Sequence, residues 1–285
     1  MKKRELQKLV AAYKLGKVLG EGGNGVVYAA TDITSGERVA LKLFQSAHLN
    51  RYARFKDEVK VMTTRLEGSD HTVQILKSHF PEVNEKSVAW YAMPLGVPST
   101  KELKGLPWEE KVQHILDLAR GLMAIHDVEV AHRDIKPDNL LFISGRGCFA
   151  DFGLAKFPES SRVTKFDEPI GPADYLAPEM RFNSDTSDPF PADVYSFCKT
   201  IWALLTEMRI PFTGQYAKHD VTGLSKHDGS NGFVVEPLEE LLLHGTDPLP
   251  ALRPTISQVI QLLEGVVQVQ QSFSGRNLAQ WKAVA

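Results

Sequence analysis

Cysteine is nearly missing from this chain: Cys148 and Cys198 are the only two in 285 residues. Each sits in an otherwise apolar segment, so a disulfide scaffold is excluded and two buried free thiols in a reducing compartment are expected. Net charge is small as well. The 33 basic and 35 acidic residues leave −2, without the basic excess of a nucleic-acid binder. Long apolar runs are absent: the longest hydrophobic helical stretch, Val194 to Leu205, contains Lys199 and is too short to span a bilayer. Met1-Lys2-Lys3-Arg4 is basic, but Glu5, Gln7 and Lys8 follow, so no apolar signal core forms. His219, His227 and His244 are too widely spaced for a metal pattern, have no nearby cysteine, and read as surface residues. No repeat or low-complexity segment is evident. The expectation is a cytoplasmic protein with no membrane span and no nucleic-acid partner, large enough for one big domain or two lobes.

What is present concentrates between Val130 and Gly153. The string Ala131-His132-Arg133-Asp134-Ile135-Lys136-Pro137-Asp138-Asn139 leads into the apolar run Leu141-Phe142-Ile143. A turn, Ser144-Gly145-Arg146-Gly147, separates it from Cys148-Phe149-Ala150-Asp151-Phe152-Gly153. Two apolar runs around a glycine-rich turn predict a hairpin that holds the polar groups of its two ends together. Asp134 could accept a hydroxyl proton there, Lys136 could neutralise a phosphoryl oxygen, and Asn139 with Asp151 offers hard oxygen ligands suited to magnesium.

Upstream, after a short polar helix or arm, Gly20-Glu21-Gly22-Gly23-Asn24-Gly25-Val26-Val27 gives Gly-x-Gly-x-x-Gly-x-Val. Strands are expected over Val26 to Ala30 and Arg38 to Phe44, whereas a dinucleotide fold needs a helix opening at the third glycine. A glycine flap between strands lets backbone amides approach phosphates; an ordinary glycine-rich hairpin turn is the plainer alternative. Alternation along the strand places Ala40 and Lys42 on one face and Val39 with Leu41 on the other. Between Arg51 and Leu66, Phe55, Val59, Met62 and Leu66 define one helix face, and Glu58 lies at it. An inward carboxylate needs a partner; a solvated glutamate at the stripe's edge is the alternative. His71 to Phe80 and Lys86 to Met93 are further strand candidates, the second stopped by Pro94-Leu95-Gly96. A long amphipathic helix follows Pro107, running from Trp108 through Met123. A helix that is apolar nearly all round opens at Asp193, whose carboxylate could cap it. Thr213 to Pro250 includes a turn at Gly229-Ser230-Asn231-Gly232. Beyond Leu263, Val266 to Ser274 alternates weakly and Asn277 to Val284 reads as a separate short helix.

In their order, the glycine loop, Val39-Ala40-Leu41-Lys42, His132-Arg133-Asp134, Asp151-Phe152-Gly153 and Ala177-Pro178-Glu179 resemble the eukaryotic-type protein kinase family, from about Leu19 to Leu263. Asp134-Ile135-Lys136-Pro137-Asp138-Asn139 is more similar to its serine/threonine branch than to tyrosine kinases. The resemblance implies an α+β, bilobal fold: an antiparallel sheet with one key helix over residues 1–94, a larger helical lobe over 95–264, and a tail or linker over 265–285. It implies ATP and magnesium, which manganese could replace, as cofactors, and a protein substrate, the chain itself included. By the same resemblance Asp134, Lys136, Lys42 and Glu58 are catalytic, with Glu58 pairing Lys42. Gly20, Glu21, Gly22 and Gly25 cover the phosphates that Lys42 holds. Val27, Ala40 and Leu141 sandwich the adenine, Met93 is the gatekeeper, and Pro94 and Gly96 face the adenine edge, Pro94 through its carbonyl alone. Asn139 and Asp151 hold the metal. Asp193 anchors the backbone of the catalytic loop, and Glu179 pairs with Arg253.

One departure is Pro172, which stands where the family has a threonine that bonds the catalytic aspartate and lysine; Asp174 is a candidate substitute. Ser160, Ser161 and Thr164 offer activation-segment hydroxyls. Asp167 or Glu168 could instead meet Arg133 in place of a phosphate. A pseudokinase, binding nucleotide but regulating a partner, is the rival expectation; a small-molecule kinase of related fold is a third.

Overall fold

The computed structural model describes residues 3–22, 25–45, 49–81, 88–160, 174–181, 187–230 and 233–282. The fold is bilobal and α+β. A short helix α1 (Lys3–Leu9) precedes β1 (Tyr13–Gly22), β2 (Gly25–Asp32) and β3 (Arg38–Leu43); then come α2 (Leu49–Met62), β4 (Lys77–His79) and β5 (Trp90–Pro94). The five strands form one antiparallel sheet in the order β1-β2-β3-β5-β4. β3 lies inside it and is covered on both faces. Val39, Leu41 and Leu43 pack with Leu6 and Val10 of the N-terminal segment, while Ala40 faces the cluster containing Phe55 and Val59 of α2. Leu6 is fully buried, a contribution of roughly 1.5–3 kcal/mol. Gln7 fastens α1 to the sheet, donating to the Tyr13 carbonyl at 2.7 Å and accepting from the Leu15 amide at 2.8 Å.

The large lobe starts at β6 (Val97–Pro98), α3 (Ser99–Glu102) and α4 (Trp108–Asp127). β7 (Leu140–Ile143) and β8 (Arg146–Phe149) pair antiparallel and, with β6, make a second small sheet. α5 (Pro189–Thr206), α6 (Glu236–Gly245) and α7 (Ile256–Lys282) complete it. Every residue of α5 from Ala192 to Leu205 is buried, as a helix apolar all round requires. Its single lysine, Lys199, donates to the Phe212 carbonyl at 2.7 Å beneath the Tyr195 and Phe212 rings. Burial lowers its pKa to about 8, and the nearby Arg181 charge adds to that.

Several local expectations are corrected. α2 ends at Met62, not Leu66. Thr63 and Thr64 hydroxyls donate back to the Val59 and Lys60 carbonyls, and Gly68 turns the chain at φ 73°, while Leu66 still reaches the core. The hairpin turn is the two-residue Ser144-Gly145, both at positive φ, which suits a tight connection of twisted strands and leaves Arg146 and Gly147 in β8. Of His71 to Phe80 only Lys77–His79 is strand, since Thr72 makes only an isolated bridge to Phe149. α5 starts earlier than Asp193: Asp188 accepts from the Phe190 amide as its N-cap, followed by Pro189 at the first helical position. Val266 to Ser274 and the stretch after it belong to one helix, α7. His227 is half-buried with its ring edge-on to Trp202, whereas His219 and His244 are exposed as expected. Gly229 lies against the Trp108 indole, where a Cβ would come within 2.1 Å of Nε1. Both cysteines are buried free thiols. Among the described residues no helix is long and apolar enough to cross a membrane, and no three or more His, Cys, Asp or Glu side chains gather as a metal site.

Candidate active site

The site is built from three segments distant in sequence. Lys42 points from β3 toward α2 because its neighbours Leu41 and Leu43 occupy the opposite face. Glu58 is fully buried on the inward face of α2, so the solvated alternative does not apply. The Lys42 Nζ lies 2.7 and 2.9 Å from the two Glu58 carboxylate oxygens and 2.9 Å from Asp151 Oδ1. Tyr91, paired with Lys42 across β3 and β5, donates its hydroxyl to Glu58 Oε1 at 2.8 Å. One ammonium thus serves two carboxylates. Burial works against its charge, but Asp151 and Glu58 keep Lys42 protonated well above its ordinary range. Burial likewise pushes Glu58 up, against the pull of Lys42. The Asp151 side chain is 42 % exposed. Desolvation opposes its charge, but the Lys42 ammonium and hydrogen bond prevail and hold it down at about 2.

The β7–β8 hairpin joins the remaining groups. Asp151 follows β8 at φ 63° and Arg133 sits at φ 64°, two left-handed positions that a non-glycine residue adopts only when its surroundings impose them. The surroundings are identifiable. Asp193, buried in α5, accepts from the His132 and Arg133 amides at 2.7 Å each, and His126 Nε2 lies 3.1 Å away. His132 contacts the Ala150 carbonyl at 3.1 Å, and its ring lies 4.7 Å from that of buried Phe152. The loop and the start of the Asp151 segment are therefore locked together.

Within the loop, Lys136 Nζ donates to Asp134 Oδ2 at 2.7 Å, and Asn139 Nδ2 donates to the same oxygen and to the Asp134 carbonyl at 2.8 Å each. Among the described residues no hydrogen bond reaches Asp134 Oδ1. Desolvation raises the Asp134 pKa, with Lys136 opposing it, which makes this carboxylate more basic than a solvated one. Among the described residues the Asn139 side chain bonds only through its nitrogen, which leaves its amide oxygen and the half-exposed Asp151 carboxylate as hard-oxygen groups of the kind magnesium takes.

The glycine segment spans the β1–β2 turn, with Gly20 paired to Val27, Glu21 to Val26 and Gly22 to Gly25. Gly25, at φ 147°, would put a Cβ 2.2 Å from the Leu43 carbonyl oxygen, so glycine is required there. Ala40 pairs with Met93 and Val39 with Pro94 across β3 and β5. Val27 and Leu141 pack against the cluster that holds Ala40 and Met93. Gly96 lies against Leu141, where a Cβ would meet Leu141 Cβ at 2.8 Å. Glu179 and Arg253 form a two-pronged pair at 2.6 and 2.8 Å. Asp174 is exposed and makes no hydrogen bond to Asp134 or Lys136 among the described residues, so it does not take over the missing threonine's tie. Ser160 hydrogen-bonds the Phe157 carbonyl; Ser161, Thr164, Asp167, Glu168 and Pro172 lie outside the described residues.

Sequence reasoning missed Tyr91 and His126. Tyr91 was legible in principle, since its strand pairs with that of Lys42 and its side chain falls on the same face; His126 had no comparable signal. The family described as protein kinase domain matches residues 13–272. The chain is 30 % identical over 266 residues to the LysM domain receptor-like kinase 3 of Medicago truncatula, covering 89 % of this chain and 38 % of that protein. It is 29 % identical over 266 residues to the serine/threonine-protein kinase PknA of Mycobacterium tuberculosis, covering 89 % of this chain and 56 % of that one. Against the serine/threonine-protein kinase pkn2 of Myxococcus xanthus it is 28 % identical over 285 residues, covering 93 % and 30 %. The chain therefore spans little more than half, or less, of the length of these relatives.

Proposed function

The chain belongs to the protein kinase family, and from that membership we propose that it transfers the γ-phosphoryl group of ATP to serine or threonine hydroxyls of proteins, its own included. The observation that carries the reading is the single ammonium of Lys42 held within 2.9 Å of both Glu58 and Asp151, beside an aspartate whose one oxygen is fixed by Lys136 and Asn139. In this reading residues 1–94 and 95–264 are the two lobes that close on the nucleotide. Gly20, Glu21, Gly22 and Gly25 cover the phosphates, Lys42 positions them, and Glu58 positions Lys42. Val27, Ala40, Met93, Pro94, Gly96 and Leu141 enclose the adenine. Asn139 and Asp151 hold magnesium, which when bound neutralises charge on the transferring group.

Asp134 orients the acceptor hydroxyl and takes its proton as the hydroxyl oxygen forms the new bond to phosphorus. The bond from the γ-phosphorus to its bridging oxygen breaks, and the electron pair leaves with ADP. Lys136 offsets the charge that builds on the transferring oxygens, so the protein contributes mainly alignment and electrostatics. The test is incubation with γ-labelled ATP and magnesium, followed by acid hydrolysis of labelled protein. Label on phosphoserine or phosphothreonine supports the proposal. Label only on small metabolites, or nucleotide binding without transfer, contradicts it.

A further inference from the structure

Just beyond α2, a single guanidinium ties together three of the segments that supply the site. Arg65 Nε and Nη2 meet Glu159 Oε2 and Oε1 at 2.8 and 2.7 Å, a two-pronged pair, while Nη1 donates to the Val128 carbonyl at 2.8 Å and lies 3.5 Å from Glu129. Lys60, on α2 itself, donates to the Glu159 carbonyl at 3.2 Å. Each partner belongs to a functional segment. Arg65 follows the helix that carries Glu58, Val128 is the C-cap of α4 that leads into His132 to Asn139, and Glu159 lies in the segment that continues from Asp151.

The two large-lobe segments are already joined by backbone: Ala131 and Lys156 exchange two hydrogen bonds of 2.9 Å. Glu159 is held just past that bridge by the turn in which the Ser160 amide and hydroxyl both bond the Phe157 carbonyl at 2.9 and 2.7 Å. On the other side, buried Leu66 and its amide bond to the Val61 carbonyl fix the backbone at Arg65. Two rigid supports thus present a planar fork to a carboxylate, a geometry that lysine cannot reproduce. We propose that Arg65 is a positioning residue for the Lys42, Glu58 and Asp151 cluster, and that it acts by docking α2 onto Glu159. The hydrogen bond to Arg65 also holds the Glu159 carboxyl below its usual range. Arg65 is 25 % exposed and Glu159 50 %, so the pair matters little for global stability and its effect is local registration.

This inference rests on the proposed phosphoryl transfer for its kinetic arm only. The experiment compares Glu159→Gln, Arg65→Lys, Arg65→Glu, Glu159→Arg and the double charge reversal Arg65→Glu/Glu159→Arg in the full chain. The control is Arg120→Gln, which breaks another exposed pair, Arg120 with Glu264 at 2.7 Å. Readouts are kcat and KM for ATP, thermal midpoint, and amide hydrogen exchange of peptides covering 49–62 and 151–160. Glu159→Gln and Arg65→Lys are expected to lower kcat about three- to tenfold, raise exchange in both peptides together and leave the midpoint within about 2 °C of wild type. The double reversal recovers part of what Glu159→Arg loses, and Arg120→Gln changes nothing. Unchanged exchange in Glu159→Gln, a double reversal no better than the worse single variant, or an equal loss in Arg120→Gln overturns the proposal. A wild type that transfers no phosphate sinks the functional reading, and the exchange results then decide the role of Arg65 alone.

Discussion

Replacing Glu179 with alanine should destabilise the large lobe substantially without touching the cleft. The Arg253 side chain is fully buried, and Glu179 is 12 % exposed. Five contacts surround the guanidinium: two to Glu179 at 2.6 and 2.8 Å, and others to the carbonyls of Asp247 at 2.8, Pro191 at 3.0 and Pro248 at 3.5 Å. The Tyr195 ring lies 4.9 Å away. Removing the carboxylate leaves the carbonyls and the ring but no opposing charge, and stranding one member of a buried pair costs about 3–5 kcal/mol. For a chain of this size each kcal/mol lowers the midpoint by about 2–4 °C, so a fall of roughly 6–20 °C is expected. Thermal unfolding followed by circular dichroism measures it. Glu179→Gln, which keeps one acceptor, should fall less, and the apolar double variant Glu179→Leu/Arg253→Met should recover part of the loss because no charge is left stranded. A shift under about 2 °C for Glu179→Ala would refute the reasoning that Arg253 depends on this carboxylate.

Two further outcomes follow from the small lobe and the cleft. Gly25→Ala should cost roughly 1–3 kcal/mol by thermal unfolding, because its φ of 147° and the Leu43 carbonyl both oppose a Cβ, whereas Gly20→Ala, with open space around it, should cost less. Asp151 releases its proton more readily folded, at about 2, than at its ordinary 3.8. Its contribution to stability is therefore present above about pH 4 and lost as pH falls toward 2. The slope is modest because the side chain is 42 % exposed; denaturant titrations at stepped pH should show it in wild type and show it reduced in Lys42→Met.

Much of the site was legible because its residues obey local rules. Alternation along β3 put Lys42 on the face of Ala40, and the spacing of Phe55, Val59 and Met62 turned Glu58 inward. What failed was local punctuation and tertiary pairing. Leu66 kept the helical spacing after the helix had ended, since its burial comes from a turn. Asp193 resembled a cap because it precedes an apolar run, yet Asp188 and Pro189 begin the helix and leave Asp193 to hold the loop amides. The Val266 to Ser274 stretch looked strand-like only in isolation; packed behind α4, it continues a helix. The pairing of Arg65 with Glu159 joins residues with no periodic relation and leaves no mark on sequence alone.

The most direct measurement compares wild type with Asp134→Asn for transfer of label from ATP to protein, with nucleotide affinity followed in parallel. The account predicts transfer by wild type, a loss of about 10²–10⁴-fold in the variant, and nucleotide binding preserved, because the proposed mechanism assigns the acceptor to Asp134 and the phosphates to Lys42. Equal transfer rates in the two proteins, or none in wild type, would contradict it.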